Sequence, residues 1–145
     1  MRCWVANYGI LSHADHITSI RPFARSLYRS CLTSSELFTQ VQNELGALLA
    51  VLETTEDNSN ELHFDADHHP QLCRLSRDCH QVLQDLQRLK GHFDSVGTQG
   101  QLTWERMGWG THELADIRSR LISYIGVLNV FNSNIIKYIP PKRSI

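Results

Sequence analysis

The chain has 145 residues, 41% of them apolar and 20% charged, with a formal net charge of −1. That suffices for one domain around a single sizeable core, and it argues against a nucleic-acid surface, which would carry basic runs interleaved with aromatics. No run approaches the ~20 apolar residues of a membrane span, and the start, with a lone Arg2 and a short apolar run broken by Asn7, does not read as a signal peptide.

Residues 1–16 form an N-terminal segment whose apolar side chains, among them Trp4, Tyr8 and Leu11, keep no period. From Ile17 the pattern sharpens. Ile17, Ile20, Phe23, Ala24, Leu27, Tyr28 and Cys31 share one face of a helix over about 17–32, with Arg21, Arg25 and Arg29 spaced by four on another side. Pro22 must either start that helix or bend it. Thr33, Ser34 or Ser35 supplies the next cap, and Leu37, Phe38, Val41, Leu45, Leu48, Leu49 and Leu52 define a second helix over about 35–53. From Thr54 to His69 the apolar pattern dissolves into an acidic, Asn-rich stretch that reads as a mobile loop, and deleting residues 56–68 is expected to change stability little.

Pro70 is placed as a first-turn proline for a third helix over about 70–95, with Leu72, Leu75, Cys79, Val82, Leu86, Leu89 and Phe93 at steps of three and four. A turn at GTQGQ follows, then a brief helix over about 102–108 whose aromatics close the end of a bundle. The cleanest stripe comes last. Leu114, Ile117, Leu121, Tyr124, Leu128, Phe131, Ile135 and Tyr138 mark a helix over about 111–138, stopped by Pro140 and Pro141 and followed by a basic tail, 140–145. Two helices with matched narrow seams and a short connection pack antiparallel, so the third and the last form the expected spine. The fold expected is all-α, an up-and-down bundle of four main helices with one short insert, occupying 17–139.

Charge is segregated along this order. Residues 1–29 carry four arginines against one acid, whereas 30–73 carry eight acids and no Lys or Arg, so the first two helices are expected to complement each other. The four cysteines, Cys3, Cys31, Cys73 and Cys79, are too sparse for a disulfide scaffold, and a reducing cytoplasm is the expected location.

The segments around Leu27-Tyr28-Arg29-Ser30-Cys31, Cys79-His80-Gln81-Val82-Leu83, Trp104-Glu105-Arg106-Met107-Gly108-Trp109-Gly110 and Glu113-Leu114-Ala115-Asp116-Ile117-Arg118-Ser119-Arg120-Leu121 resemble the N-terminal helical domain of fungal NLR-like (STAND) proteins, over about residues 20–136. In that family the domain commonly precedes a NACHT or NB-ARC ATPase module or ankyrin repeats. The resemblance implies a bundle related in style to HeLo and HeLo-like domains, which signal or execute programmed cell death, self-associate and, in some members, attack membranes through an N-terminal helix. Those relatives usually begin with an apolar, glycine-containing segment. This chain instead has two histidines, an aspartate and only Gly9 before residue 17.

Chemistry-bearing residues are few. His63, Asp65, Asp67, His68 and His69 are the one dense group of potential metal ligands, but a loop offers no fixed tetrahedral geometry, so no metal is expected. Core stripes lack the Glu-x-x-His of a di-iron bundle, and Cys79 and His80, as helix neighbours about 100° apart, cannot form a dyad. No catalytic residue, cofactor or enzyme activity is expected. Trp104, Met107 and Trp109, with the row Arg21, Arg25 and Arg29, are the candidate interaction residues, although the tryptophans and Met107 suit a plug at the bundle end better than a docking patch. The expected function is a non-catalytic signalling module that self-associates or binds a protein partner. The alternatives are a membrane-acting cell-death effector using residues 1–31 and a metal-binding bundle using the His/Asp loop.

Overall fold

The computed structural model describes residues 13–32, 36–62, 68–108 and 110–137. Among them lie five α-helices, α1 (His13–Leu32), α2 (Thr39–Leu62), α3 (His68–Ser95), α4 (Gly97–Met107) and α5 (Thr111–Lys137), with a 3-10 turn over Glu36–Phe38 leading into α2 and no strand.

The four long helices form a ring in the order α1, α2, α5, α3. Cross-helix contacts fix their directions. Arg21 meets Glu56 while Tyr28 lies beside Gly46, so α1 and α2 are antiparallel. Glu44 meets Arg118 at one end and Asn58 meets Asn132 at the other, so α2 and α5 run parallel. Asp85 meets Arg120 and the Asp78 charge acts on Tyr124, so α3 and α5 are antiparallel. Phe23 packs on His80 and Cys31 lies within the field of Lys90, so α1 and α3 run parallel. The chain therefore alternates up and down, as an up-and-down bundle should. Consecutive α2 and α3 nevertheless stand on opposite corners of the ring, and the most extended interfaces are α1 on α2 and α2 on α5, whereas the expected spine, α3 on α5, is the least extended of the four.

The apolar stripes are the core. Ile20, Ala24, Leu27 and Cys31 from α1, Val41, Leu45, Leu48 and Leu52 from α2, and Leu114, Ile117, Leu121, Leu128, Phe131 and Ile135 from α5 are all buried. On α3 the expected seam is buried at Leu72, Cys79, Val82, Leu86, Leu89 and Phe93, but Leu75 is only partly buried, as is Tyr124 on α5. The buried face of α3 also takes in Cys73, Ser76, Leu83 and Lys90. A helix that touches two neighbours in a ring buries a wider arc than a two-helix seam does.

Boundaries differ from the expectation where tertiary contacts outweigh local preference. α1 begins at His13 and runs through Pro22, which is exposed, so the hydrogen bond that proline forfeits is lost on the solvent side. The supposed loop from residue 54 is helical to Leu62. Its Thr, Asp and Asn are poor helix formers. They are held because Thr55 is buried and bonded to Asn132, Asn58 also bonds Asn132, and Glu56 pairs with Arg21. Residues 56 and 58 thus carry two of these three ties, so the segment from 56 to 62 is not the unattached loop that its expected dispensability requires. The GTQGQ segment likewise belongs to α4, which starts at Gly97 rather than 102. The expected caps at residues 33–35 and the stripe's last member, Tyr138, lie outside the described residues. Among the described residues no helix is long and apolar enough to cross a membrane.

Candidate functional site

The chain reverses between α4 and α5 within three residues. Gly108, at φ 69°, ends α4 in the left-handed conformation and donates its N–H to the Trp104 carbonyl. Gly110, at φ 76°, accepts the N–H of Leu114 at 2.8 Å, and α5 begins. This tight reversal presses Trp104 into the bundle end. The indole is 5% exposed, lies tilted against Phe93 with centroids 4.8 Å apart, and meets His92 edge-on at 5.8 Å. Phe93 in turn meets Phe38 edge-on at 5.1 Å. Trp104 is therefore the plug and not a docking residue. Met107, 65% exposed, remains available, and Trp109 lies outside the described residues.

Beside the plug, α3 and α5 leave a cleft of about 550 Å³ floored by Leu89 and Ile117 and rimmed by Arg88, His92, His112 and Glu113. A smaller niche of about 300 Å³ next to Trp104 and Gly110 shares Leu89, His92 and Glu113 with it. The charges in the larger cleft are largely spent on each other. Arg120 Nη1 donates to Asp85 Oδ2 at 2.9 Å and reaches Asp116 at 3.4 Å, while Arg88 and Gln81 also donate to Asp85. Burial pushes the Asp85 carboxyl up, but the hydrogen bonds from Arg120 and Gln81 and the two guanidinium charges outweigh it and hold its pKa below the ordinary value. For Arg120 burial pulls down, and the bonds and charges of Asp85 and Asp116 win, so it is raised. Of the four charged side chains Glu113, Asp116, Arg118 and Arg120 at the start of α5, the two arginines are thus occupied in holding helices together.

Arg118 serves the other flank. Its Nε donates to Glu44 at 2.8 Å, Nη2 approaches the same oxygen at 2.8 Å, and Nη1 donates to Gln40 at 2.6 Å, clamping α5 to α2. Further down, Asn132 donates to Thr55 Oγ1 at 3.0 Å, Thr55 donates to the Val51 carbonyl at 2.8 Å, and Asn58 donates to Asn132 Oδ1 at 3.1 Å. A buried polar cluster closed in this way fixes the register of two parallel helices.

The remaining candidates divide. Arg21 donates to Glu56 at 2.9 Å and is raised above its ordinary pKa, first by that hydrogen bond and against its own burial, so it is an internal tie rather than a free contact. It bears out the complementarity of the first two helices. Arg25 and Arg29 are exposed. Of the metal candidates, His63, Asp65 and Asp67 lie outside the described residues, as do the side chains of His68 and His69, and the described residues hold no cluster of three or more His, Cys, Asp or Glu suited to a metal. The Cys79 thiol is pushed up to about 12, by burial first and the Asp78 charge second, and Cys31 is raised by burial. Neither is an activated nucleophile. Cys73 is disulfide-bonded, which runs against the expected reducing compartment.

With both flanks of α5 clamped, its outward side is Ser119, Ile122, Ser123, Gly126, Val127, Asn129, Val130 and Ser133, all exposed. Ile122 is 55% exposed and Val130 59%. Residues 121–136 contain no charged side chain at all, whereas the exposed sides of α1, α2 and α3 carry Arg25 and Arg29, Glu53 and Asp57, and Arg74 and Arg88. Sequence reasoning passed over this face because the inward stripe of the same helix was so strong. The run without charge was the signal.

The chain matches no family model, no curated protein and no solved structure.

Proposed function

We propose that the chain is a non-catalytic interaction module that works by self-association or by binding a protein partner, as a signalling element of a fungal STAND-type immunity or cell-death pathway. The observation that carries the interaction role is the uncharged, partly apolar outer face of α5, displayed on a helix that α2 and α3 hold rigid through Arg118, Asn132 and Arg120. Scattered exposed aliphatics are ordinary, but a continuous uncharged side about four turns long on a charged surface is what a binding face needs. The pathway assignment is supported by the resemblance of the Trp104 to Gly110 segment and of the Glu113 to Leu121 helix start. The reducing cytoplasm belongs to the same reading, with the Cys73 disulfide standing against it.

Light scattering across a concentration series, paired with vesicle leakage, tests this. Mass that rises with concentration, with vesicles left intact, supports the module. A strict monomer that empties vesicles overturns it in favour of a membrane-acting effector.

A further inference from the structure

Successive residues of a helix turn by 100°, so Ser119, Ile122, Gly126, Val130 and Ser133 fall within roughly 40° of one line along α5. That line is exposed over its whole length. It is also symmetric in sequence about Gly126. Ile122 and Val130 stand four residues to either side, and Ser119 and Ser133 stand seven to either side. A two-fold axis through Gly126 would set Ile122 on the second copy's Val130, Ser119 on its Ser133, and glycine on glycine, where the backbones can approach most closely.

Charge selects the direction. Antiparallel pairing keeps Asp116, whose side chain is 61% exposed and held only by a 3.4 Å contact to Arg120, far from the second copy's Asp116 and over its uncharged half. It also opposes the two helix dipoles. Parallel pairing would set Glu113 and Asp116 against their own likenesses. Nothing inside the protomer requires the central glycine, because a Cβ at residue 126 would meet no atom within 4 Å.

We infer that the outer face of α5 is a homodimerisation face on which the α5 of a second copy packs antiparallel, crossing at Gly126. The inference rests on reading the chain as an interaction module and names the partner as another copy of itself. A 27-residue helix offers a strip roughly 40 Å long and 10 Å wide, so each copy buries at most about 400 Å². That is half of the about 800 Å² per partner of a standard interface, so the dimer dissociates on dilution.

The test uses the whole chain. Sedimentation from low micromolar to near-millimolar concentration should show a monomer–dimer equilibrium. Gly126→Glu puts two carboxylates at the axis, yet glutamate is a better helix former than glycine, so the monomer stays folded and the dissociation constant rises roughly tenfold or more. Gly91→Glu, at the exposed glycine of α3 with equally open space, should leave the equilibrium unchanged. Mixing Ser119→Cys with Ser133→Cys protein under mild oxidation should yield the mixed disulfide in preference to either self-disulfide. Predominant self-disulfides overturn the antiparallel pairing. A dimer indifferent to Gly126→Glu overturns the face while leaving the interaction-module reading intact. A chain that stays monomeric throughout overturns both this pairing and self-association, leaving only binding to a different protein.

Discussion

Replacing Gly110 with alanine should be the most damaging single-methyl change in the molecule. Two effects add. At φ 76° any L side chain is strained, by about 1–2 kcal/mol. In addition, a Cβ at residue 110 would stand 2.2 Å from Trp104 Cζ2 and 2.6 Å from Cε2, well inside contact distance. The indole cannot simply swing away, because Phe93 and His92 flank it and Phe38 backs Phe93. Forcing a methyl group into such packing costs about 1–3 kcal/mol more. Gly108 is the internal control. It has nearly the same φ, 69°, but its Cβ would come no nearer than 3.7 Å to Thr111 Oγ1, so Gly108→Ala should cost only the backbone part, about 1–2 kcal/mol. Urea unfolding followed by far-ultraviolet circular dichroism gives both values. Adding Trp104→Leu should recover the packing part for Gly110→Ala and nothing for Gly108→Ala. If the two glycine variants unfold at the same urea concentration, the pressed indole is not what closes the bundle end.

Thr55→Val keeps the shape but removes a hydroxyl that donates to Val51 and accepts from Asn132, so it should cost about 1–3 kcal/mol in urea, and combining it with Asn132→Leu should cost less than the sum. Asp85 has a lowered folded pKa, so its ion pair stabilises the fold above the ordinary aspartate value of about 4 and is lost as pH falls through the folded value. Asp85→Asn should therefore melt below the parent at neutral pH, with the gap closing from about pH 4 downward, and a gap independent of pH would refute the pairing with Arg120. The Cys79 thiol, buried and pushed up to about 12, should resist alkylation at mildly alkaline pH in the native state and react at the rate of global unfolding, read by mass spectrometry.

Much of the fold is legible in the residues alone. Stripes such as Leu72, Cys79, Leu86 and Phe93, or Leu114, Ile117, Leu121 and Leu128, can be buried in only one way by a helix, so helix existence and the inward faces follow from periodicity. The reversal before Thr111 is legible too, since glycines bracket it. What periodicity cannot supply is the partner of each stripe. Leucine faces are interchangeable, so nothing local says that α2 and α3 stand across the ring or that α2 and α5 run parallel. Polar contacts at long range decide that: Arg118 on Glu44, and Asn132 on Thr55 and Asn58.

The same contacts turn the acidic stretch after residue 54 into helix, against its own composition. The site divides along the same line. Composition marks Trp104 as special but leaves open whether it plugs or docks, and only packing against Phe93 and His92 buries it. The uncharged run from 121 to 136 is visible in sequence, yet which of its sides faces water depends on where α2 and α3 settle. The chain's own pattern thus determined the helices and their apolar faces, because hydrophobic burial needs only a period. The order round the ring, the parallel pair and the one helix side left for a partner came from tertiary structure, because only paired charges and buried amides distinguish one greasy face from another.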